Sequence, residues 1–169
     1  MTIQQAINNF KTLIEQSIID GGNEGKTAMI RSSRPILNIH EAIPGHYVQL
    51  MYSNKSPSII KAVFGNNAMI EGWAVYSELM MLENGYGNNA QEMWLMYYKW
   101  NLRSVCNTIL DISVHTKNMS QQDAMDLLVN QAFQQQTEAE GKWHRVQVSN
   151  VQLDSYFTGF YEITNLREE

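Results

Sequence analysis

The sequence predicts an all-α fold, a bundle of several helices, and three observations support this. The three prolines all lie in the first third of the chain, so no proline interrupts a helix after Pro57. Apolar residues recur at three- and four-residue intervals, and no segment shows the sustained alternation of a half-buried strand. With 169 residues, 44% of them hydrophobic, the chain is long enough for one domain with a substantial core.

The elements follow in chain order. Residues 2–19 have the apolar spacing of a helix, and the glycines of GGNEGK end it. The next helix is predicted from about Pro35 to Tyr52, with a disturbance at Pro44 and Gly45, where the backbone cannot continue a regular helix. SNKSPS is a turn, and a short helix follows it. Ser120 with Asp123 resembles a capping box. Further helices are predicted over residues 69–82, 90–115, 121–133 and, as one or two helices, 136–166.

Composition narrows the class of protein. A net charge of -5 without a Lys/Arg cluster argues against a nucleic-acid-binding surface. No apolar run approaches the ~20 residues that a membrane-spanning helix needs. Cys106 is the single cysteine, which excludes an intrachain disulfide and a cysteine-based zinc site. The first residues lack the basic and apolar segments of a secretory signal, and the compartment stays unknown at this point.

The stretch NIHEAIPGHYVQ, residues 38–49, contains the residues with the clearest chemistry. His40 is followed by Glu41, and His46 comes six positions after His40. In the zinc-binding helix motif H-E-x-x-H the histidines are four apart, so both reach one metal ion while the glutamate acts as general base. Six residues at about 100° each place His46 about 240° around a regular helix from His40. An undistorted helix therefore cannot direct both histidines to one ion.

Pro44 and Gly45 change that geometry. The proline ring clashes with the carbonyl four residues earlier, that of His40, and proline donates no backbone hydrogen bond. Glycine tolerates unusual backbone dihedrals. We therefore expect the helix to bulge or restart between the histidines, which makes the stretch an expanded H-E-x-x-H motif. The alternative is that both histidines are capping or core residues.

A catalytic zinc ion needs a third protein ligand, and Glu71 is the candidate. It is a lone acid among apolar residues in AMIEGWAV, and a buried carboxylate requires a nearby cation. Zinc is the favoured partner because His40 and His46 otherwise lack one. The alternatives are that Arg103 or a lysine pairs with Glu71, or that Glu71 faces water.

Four motifs in this order, HEAIPGHYVQL, AMIEGWAVYSE, MWLMYYKWNLRSVCNTILDISVH and VQLDSYFTGF, closely resemble the C-terminal part of the bacterial DUF885 family. The resemblance runs from about Ile36 to the end of the chain and implies a zinc-dependent peptidase of the gluzincin, zincin-like type. It implies one Zn²⁺ bound by His40, His46 and Glu71, with Glu41 as general base. It also singles out Tyr156 with Gly159, and Asp111 with His115, as matches to family motifs.

The resemblance also concerns the size and place of the protein. Family members are much longer upstream of the H-E motif and are often exported, as periplasmic proteins or lipoproteins. We therefore expect residues 1–34 to be an N-terminal helix and loop, and residues 35–169 to be the C-terminal catalytic portion of a longer architecture. Apolar surface left without upstream helices is expected to favour a homodimer.

Several other residues are candidates for roles near the zinc site. Tyr156 could donate a hydrogen bond to the oxyanion of a tetrahedral intermediate, or pack in the core. Gln49 follows His46 by three residues and could orient a ligand or substrate. Asp111 and His115 could orient a zinc ligand, or form a structural pair at a helix end. Arg145 could assist Tyr156 or bind a substrate carboxylate, or lie on a solvated basic face.

The function expected from these residues is zinc-dependent hydrolysis of a peptide bond, with a peptide or small amide as substrate. Two alternatives stay open. The first is a truncated or degenerate helical module that binds metal without catalysis. The second is a zinc hydrolase that acts on small non-peptide amides or esters.

Overall fold

The computed structural model describes residues 34–169, with the side chain of Ala62 excepted. Every regular element in these residues is helical, and they contain no strand. The all-α prediction is therefore confirmed for this part of the chain. The helix predicted over residues 2–19 and the N-terminal unit predicted over residues 1–34 lie outside the described residues, apart from Arg34.

The helices follow the predicted order. They are α1 (residues 34–41), α2 (His46–Ser53), α3 (Ile59–Val63), α4 (Asn67–Glu83), α5 (Gln91–Lys117), α6 (Gln121–Met125), α7 (Gln136–Val148) and α8 (Ser155–Glu168). The disturbed helix of the sequence analysis is thus two helices, α1 and α2, separated by residues 42–45.

Side-chain caps explain where several helices begin. Asn66 and Ser120 precede α4 and α6, and each side-chain oxygen accepts a hydrogen bond from the backbone N–H three residues later. One prediction was wrong in detail: the helix over residues 121–133 is α-helical only to Met125 and continues as a π-helical turn, Asp126–Gln131. Apolar periodicity does not separate the two because the π-helical stretch is only six residues long.

Three groups of buried side chains hold the helices together. The largest lies between α5, the α6–π segment and α7, and includes Leu102, Leu128 and Val146. A second joins α1 to α4 and α5 through Ile36, Ile39 and neighbouring residues. The third lies between α4 and α8. The helix that carries His40 is therefore anchored directly on the helix that carries Glu71.

Two glycines allow α4 and α8 to approach closely. A Cβ atom on Gly72 would lie 2.2 Å from the backbone carbon of Gly159, and a Cβ on Gly159 would lie 1.8 Å from the carbonyl oxygen of Ala68. Both distances are impossible for real atoms, so any side chain at either position forces the helices apart. Because Glu71 adjoins Gly72 and Tyr156 lies one turn before Gly159, this crossing also sets how near Tyr156 comes to Glu71.

Gly159→Ala is therefore expected to lower the free energy of unfolding by about 1–3 kcal/mol or more, because the clash is with backbone and cannot be relieved by a rotamer change. Urea unfolding followed by circular dichroism measures the effect. The matched control is Gly141→Ala, since a Cβ at Gly141 meets nothing within 4 Å. That exposed helical site should gain roughly 0.5–1 kcal/mol. Equal effects at the two glycines would contradict the close crossing.

A surface rich in apolar side chains covers α2 and α3. The exposed members are Leu50, Met51, Tyr52, Ile59, Ile60, Val63 and Phe64. Part of this surface borders a groove of about 780 Å³ between α2, α3 and the start of α4. Contiguous apolar surface of this kind marks interaction sites. Separately, none of the helices described over residues 34–169 combines the length and apolar character needed to cross a bilayer.

The homodimer stays a prediction, and this apolar surface is where it is testable. We expect the protein to self-associate, and Ile60→Lys to weaken association by tenfold or more because it would bury an unpaired charge. Light scattering over a concentration series measures this. Val148→Lys is the control, because Val148 is 86% exposed on a different helix, α7. A protein that stays monomeric at every concentration would refute the dimer.

Candidate metal centre

The break between α1 and α2 is built by residues 42–45. The N–H of Gly45 donates to the carbonyl of Ile39 over 3.0 Å, which replaces the ordinary helical bond, and α2 restarts at His46. A Cβ on Gly45 would lie 1.9 Å from the carbonyl oxygen of His40, so only glycine fits. The indole of Trp73 on α4 donates to the carbonyl of Pro44 over 2.9 Å. The break is therefore held against the helix that carries Glu71.

This break brings His40, His46 and Glu71 together. Glu71 Oε2 lies 3.8 Å from His40 Nε2 and 3.5 Å from His46 Nε2. The three candidate ligand atoms all lie within 4.8 Å of one another. Ligand atoms around a tetrahedral zinc ion, each about 2 Å from it, are separated by roughly 3.3 Å. The largest separation between these ligand atoms therefore exceeds the separation in a tetrahedral zinc site by about 1.5 Å.

Arg103 does not pair with Glu71, so that alternative to a metal is wrong. Arg103 forms its ion pair with Glu138 on α7. Glu71 is only partly buried and faces the two imidazoles.

Glu78 is a residue of the site that the sequence analysis missed. Its carboxylate is 2% exposed, and Oε1 accepts a hydrogen bond of 2.7 Å from His40 Nδ1. This contact fixes the tautomer of His40 and leaves Nε2 directed toward Glu71. Buried carboxylates commonly orient metal-binding histidines in this way. The sequence did contain a signal for Glu78. It follows Glu71 by seven residues, about two helical turns, so both acids lie on the same face of α4.

The carboxylates near His40 shape its protonation. Burial lowers the pKa of His40, but Glu71 and Glu78 outweigh it and raise that pKa to about 9. Burial raises the pKa of Glu71, but His40 and His46 outweigh it, so the pKa of Glu71 falls below its ordinary value. Burial keeps the pKa of Glu78 above its ordinary value despite the contact with His40. A site with this much negative charge favours a cation.

Glu41 and Tyr156 both interact with members of this group. Glu41 is exposed at the end of α1, and its charge acts on His40. Tyr156 on α8 is in polar contact with Glu71 and with Arg145. Burial and the charge of Glu71 raise the pKa of the Tyr156 phenol, which therefore keeps its proton at neutral pH and can donate it in a hydrogen bond.

Gln49 ties α2 to α4. Its Nε2 donates to the carbonyl of Met69 over 2.8 Å. Its oxygen and Nδ1 of His46, one turn earlier, are buried without a hydrogen-bond partner within residues 34–169. Nδ1 of His46 can donate a hydrogen bond and the amide oxygen of Gln49 can accept one, so the two groups are suited to each other. The role of Gln49 in orienting His46 stays a prediction.

Asp111 and His115 contact the end of α7 and the segment that follows it, rather than His40, His46 or Glu71. The carboxylate of Asp111 accepts hydrogen bonds from the backbone N–H groups of Val151, Leu153 and Asp154. His115 Nε2 lies 3.0 Å from the carbonyl oxygen of Val146 and 3.4 Å from Asp111. This is the structural pair that the sequence analysis held open. It fixes the loop that leads into Tyr156, so its link to the site is indirect.

The fold and this group define a class of protein. It is a helical protein with a cluster of two histidines and a glutamate, residue types that bind metal ions, and a buried carboxylate orients one of the histidines. The family is shown by a sequence match over residues 21–169. The chain belongs to the DUF885 family, described as bacterial proteins of unknown function. The match includes residues 21–34, which the sequence analysis had placed in a separate N-terminal unit.

Two solved structures are similar to this chain. One, titled "The structure of a putative lipoprotein of unknown function from Shewanella oneidensis", is 65% identical, with a TM-score of 0.75 over 79% of this chain. The other, "the putative lipoprotein from Colwellia psychrerythraea", is 26% identical, with a TM-score of 0.72 over 79% of this chain. The matched parts cover 24% and 23% of those chains, so this chain corresponds to about a quarter of their length. No curated protein matches the sequence.

Proposed function

We propose that the chain carries the centre of a zinc-dependent peptidase, in which His40, His46 and Glu71 bind one Zn²⁺. The observation that carries the proposal is the convergence of three ligand atoms within 4.8 Å from three separate helices. Two imidazoles and a carboxylate are the ligand set of many catalytic zinc sites, and they leave a fourth position for water.

The surroundings of the group fit a zinc ion. His40 uses Nδ1 to bind Glu78, so its Nε2 is left for a metal. The pKa of His40 is raised to about 9, so metal binding at its Nε2 would release a proton. Three carboxyl groups, those of Glu71, Glu78 and Glu41, act on His40. A group rich in carboxyl groups suits a divalent cation.

Each nearby side chain then has a distinct task. A bound zinc ion would polarise the scissile carbonyl and lower the pKa of water toward ~7. Glu41 would take the proton of the attacking water at its carboxylate and pass it to the leaving amine. Tyr156 would donate its phenolic hydrogen to the oxygen of the carbonyl as negative charge develops there. Glu78 would hold the ring of His40 in place.

A non-catalytic metal-binding module is the second candidate. It is favoured by the fact that the chain spans only about a quarter of the solved chains it matches, so most of each of those proteins lies outside the matched part. The titles of these relatives also support a proposal of location, the bacterial cell envelope.

Elemental analysis of the purified protein, joined to cleavage of a peptide library, tests the proposal. We expect about one zinc per chain and cleavage that stops when a chelator removes the metal and returns when zinc is added. Zinc binding with no cleavage would favour the non-catalytic module. Cleavage only of non-peptide amides or esters would favour a small-molecule hydrolase, and absence of metal would overturn all three zinc hypotheses.

Glu78→Gln tests the proposed orienting residue. We expect zinc affinity to fall about 10- to 100-fold, because an amide accepts a weaker hydrogen bond from His40 Nδ1. Competition with a chromogenic chelator measures the affinity. Glu83→Gln is the control: Glu83 lies on the same helix and pairs with Arg167 at the surface over 2.5 Å. Unchanged affinity in Glu78→Gln would show that the buried carboxylate does not support the metal.

A further inference from the structure

Three basic side chains, Arg103, Lys142 and Arg145, lie on the packed helices α5 and α7. On α7, Glu138, Lys142 and Arg145 follow one another at four and three residues, which places them along one face of the helix. Arg103 on α5 faces this row and pairs with Glu138. Arg103 and Lys142 both interact with Glu138, and Arg145 lies one turn further along α7, in a chain whose net charge is -5. This local excess of positive charge calls for an anionic partner.

Lys142 is held in this row at an energetic cost. Burial lowers its pKa to about 8, Arg103 and Arg145 contribute to the lowering, and Glu138 only partly offsets it. Lys142 also lies near the buried Cys106 on α5, so its stem sits in the α5–α7 interface. A ligand with negative charge would offset part of the repulsion between Lys142 and the two arginines. The arrangement is therefore suited to binding an anion.

Arg145 links this row to the metal centre. One of its Nη atoms donates to Gln152 Oε1 over 2.9 Å, and the remaining donors of its fork are available to a ligand. Arg145 is exposed and in polar contact with Tyr156, which in turn contacts Glu71. Two hydrogen-bond lengths in series span at most roughly 6 Å. One residue of extended peptide spans about 3.5 Å, so the guanidinium lies within about two residues of peptide from Glu71.

We propose that Arg145, supported by Lys142 and Arg103, binds a carboxylate of the substrate, so that the preferred peptides carry a carboxylate one or two residues from the cleaved bond. A planar guanidinium binds a carboxylate through two parallel hydrogen bonds, which makes Arg145 the direct contact. The carboxylate comes either from the free C-terminus or from an Asp or Glu side chain. This inference rests on the proposed peptidase function for its cleavage step, but not for its binding step.

The experiment uses the zinc-loaded full chain and peptides that differ in one group. One pair has the same sequence with a C-terminal carboxylate or a C-terminal amide, and a second pair, both amidated, has Asp or Asn after the cleaved bond. We expect kcat/KM to be about 10- to 100-fold higher for the carboxylate member of at least one pair. Arg145→Gln should bring that ratio close to one. Arg167→Gln, which removes the same charge at the far end of α8, should leave the ratio unchanged.

A binding measurement keeps this inference separate from the peptidase proposal. The probe is N-acetylphenylalanine, compared with its amide by NMR titration of the zinc-loaded protein. Tighter binding of the acid that Arg145→Gln abolishes supports the carboxylate site, even if no peptide is cleaved and the peptidase proposal fails. Equal binding of acid and amide, or an Arg145→Gln variant that slows both members of each pair equally, would overturn it.

Discussion

Glu41→Gln is expected to keep its zinc and to lose about 10²- to 10⁴-fold in kcat, because an amide cannot accept the proton of the attacking water. Glu41 immediately follows His40, is exposed, and is not one of the three clustered candidate ligands, so the substitution removes the proposed base without removing a proposed ligand. Zinc content by elemental analysis and steady-state cleavage of a library-selected peptide together measure the two effects.

The control for Glu41→Gln is Glu162→Gln, the same change at an exposed position of α8. It should alter neither zinc content nor kcat. Full activity in Glu41→Gln would remove Glu41 from the mechanism. Simultaneous loss of zinc would instead mean that Glu41 helps to hold the metal.

His46→Ala is expected to weaken zinc binding by about 10³-fold. Structural zinc sites bind with about 10–16 kcal/mol, so the loss of one of three protein ligands costs roughly 4 kcal/mol. Peptide cleavage should then be undetectable at micromolar zinc. Isothermal titration with zinc measures the affinity, and thermal unfolding in chelator verifies that the metal-free variant is folded.

His144→Ala is the matched control, since His144 is an exposed histidine on α7. It should bind zinc as the unaltered protein does. Retention of tight zinc binding by His46→Ala would mean that His46 is not a ligand. The structural interpretation of the two histidines as core or capping residues would then stand.

Much of the helical architecture could be predicted because its signals are local. The apolar period places α4 and α5 within two residues of their observed ends, and the proline at position 44 predicts the break before α2. The π-helical turn at Asp126–Gln131 could not be predicted, because its hydrogen bonds do not change the apolar pattern. Asp111 was ambiguous for another reason: its partners lie forty residues away in sequence.

The sequence by itself predicted the helical structure found in residues 34–169 and singled out His40, Glu41, His46 and Glu71 as candidates for metal chemistry. Both predictions use local signals: proline, glycine and apolar period act over a few residues, and Glu71 stands out as a lone acid in an apolar segment. Only the tertiary structure decided that Glu78 holds His40, that Arg103 pairs with Glu138, and that Tyr156 reaches Glu71. These contacts depend on how helices cross, and the crossing of α4 and α8 is set by backbone contact at Gly72 and Gly159.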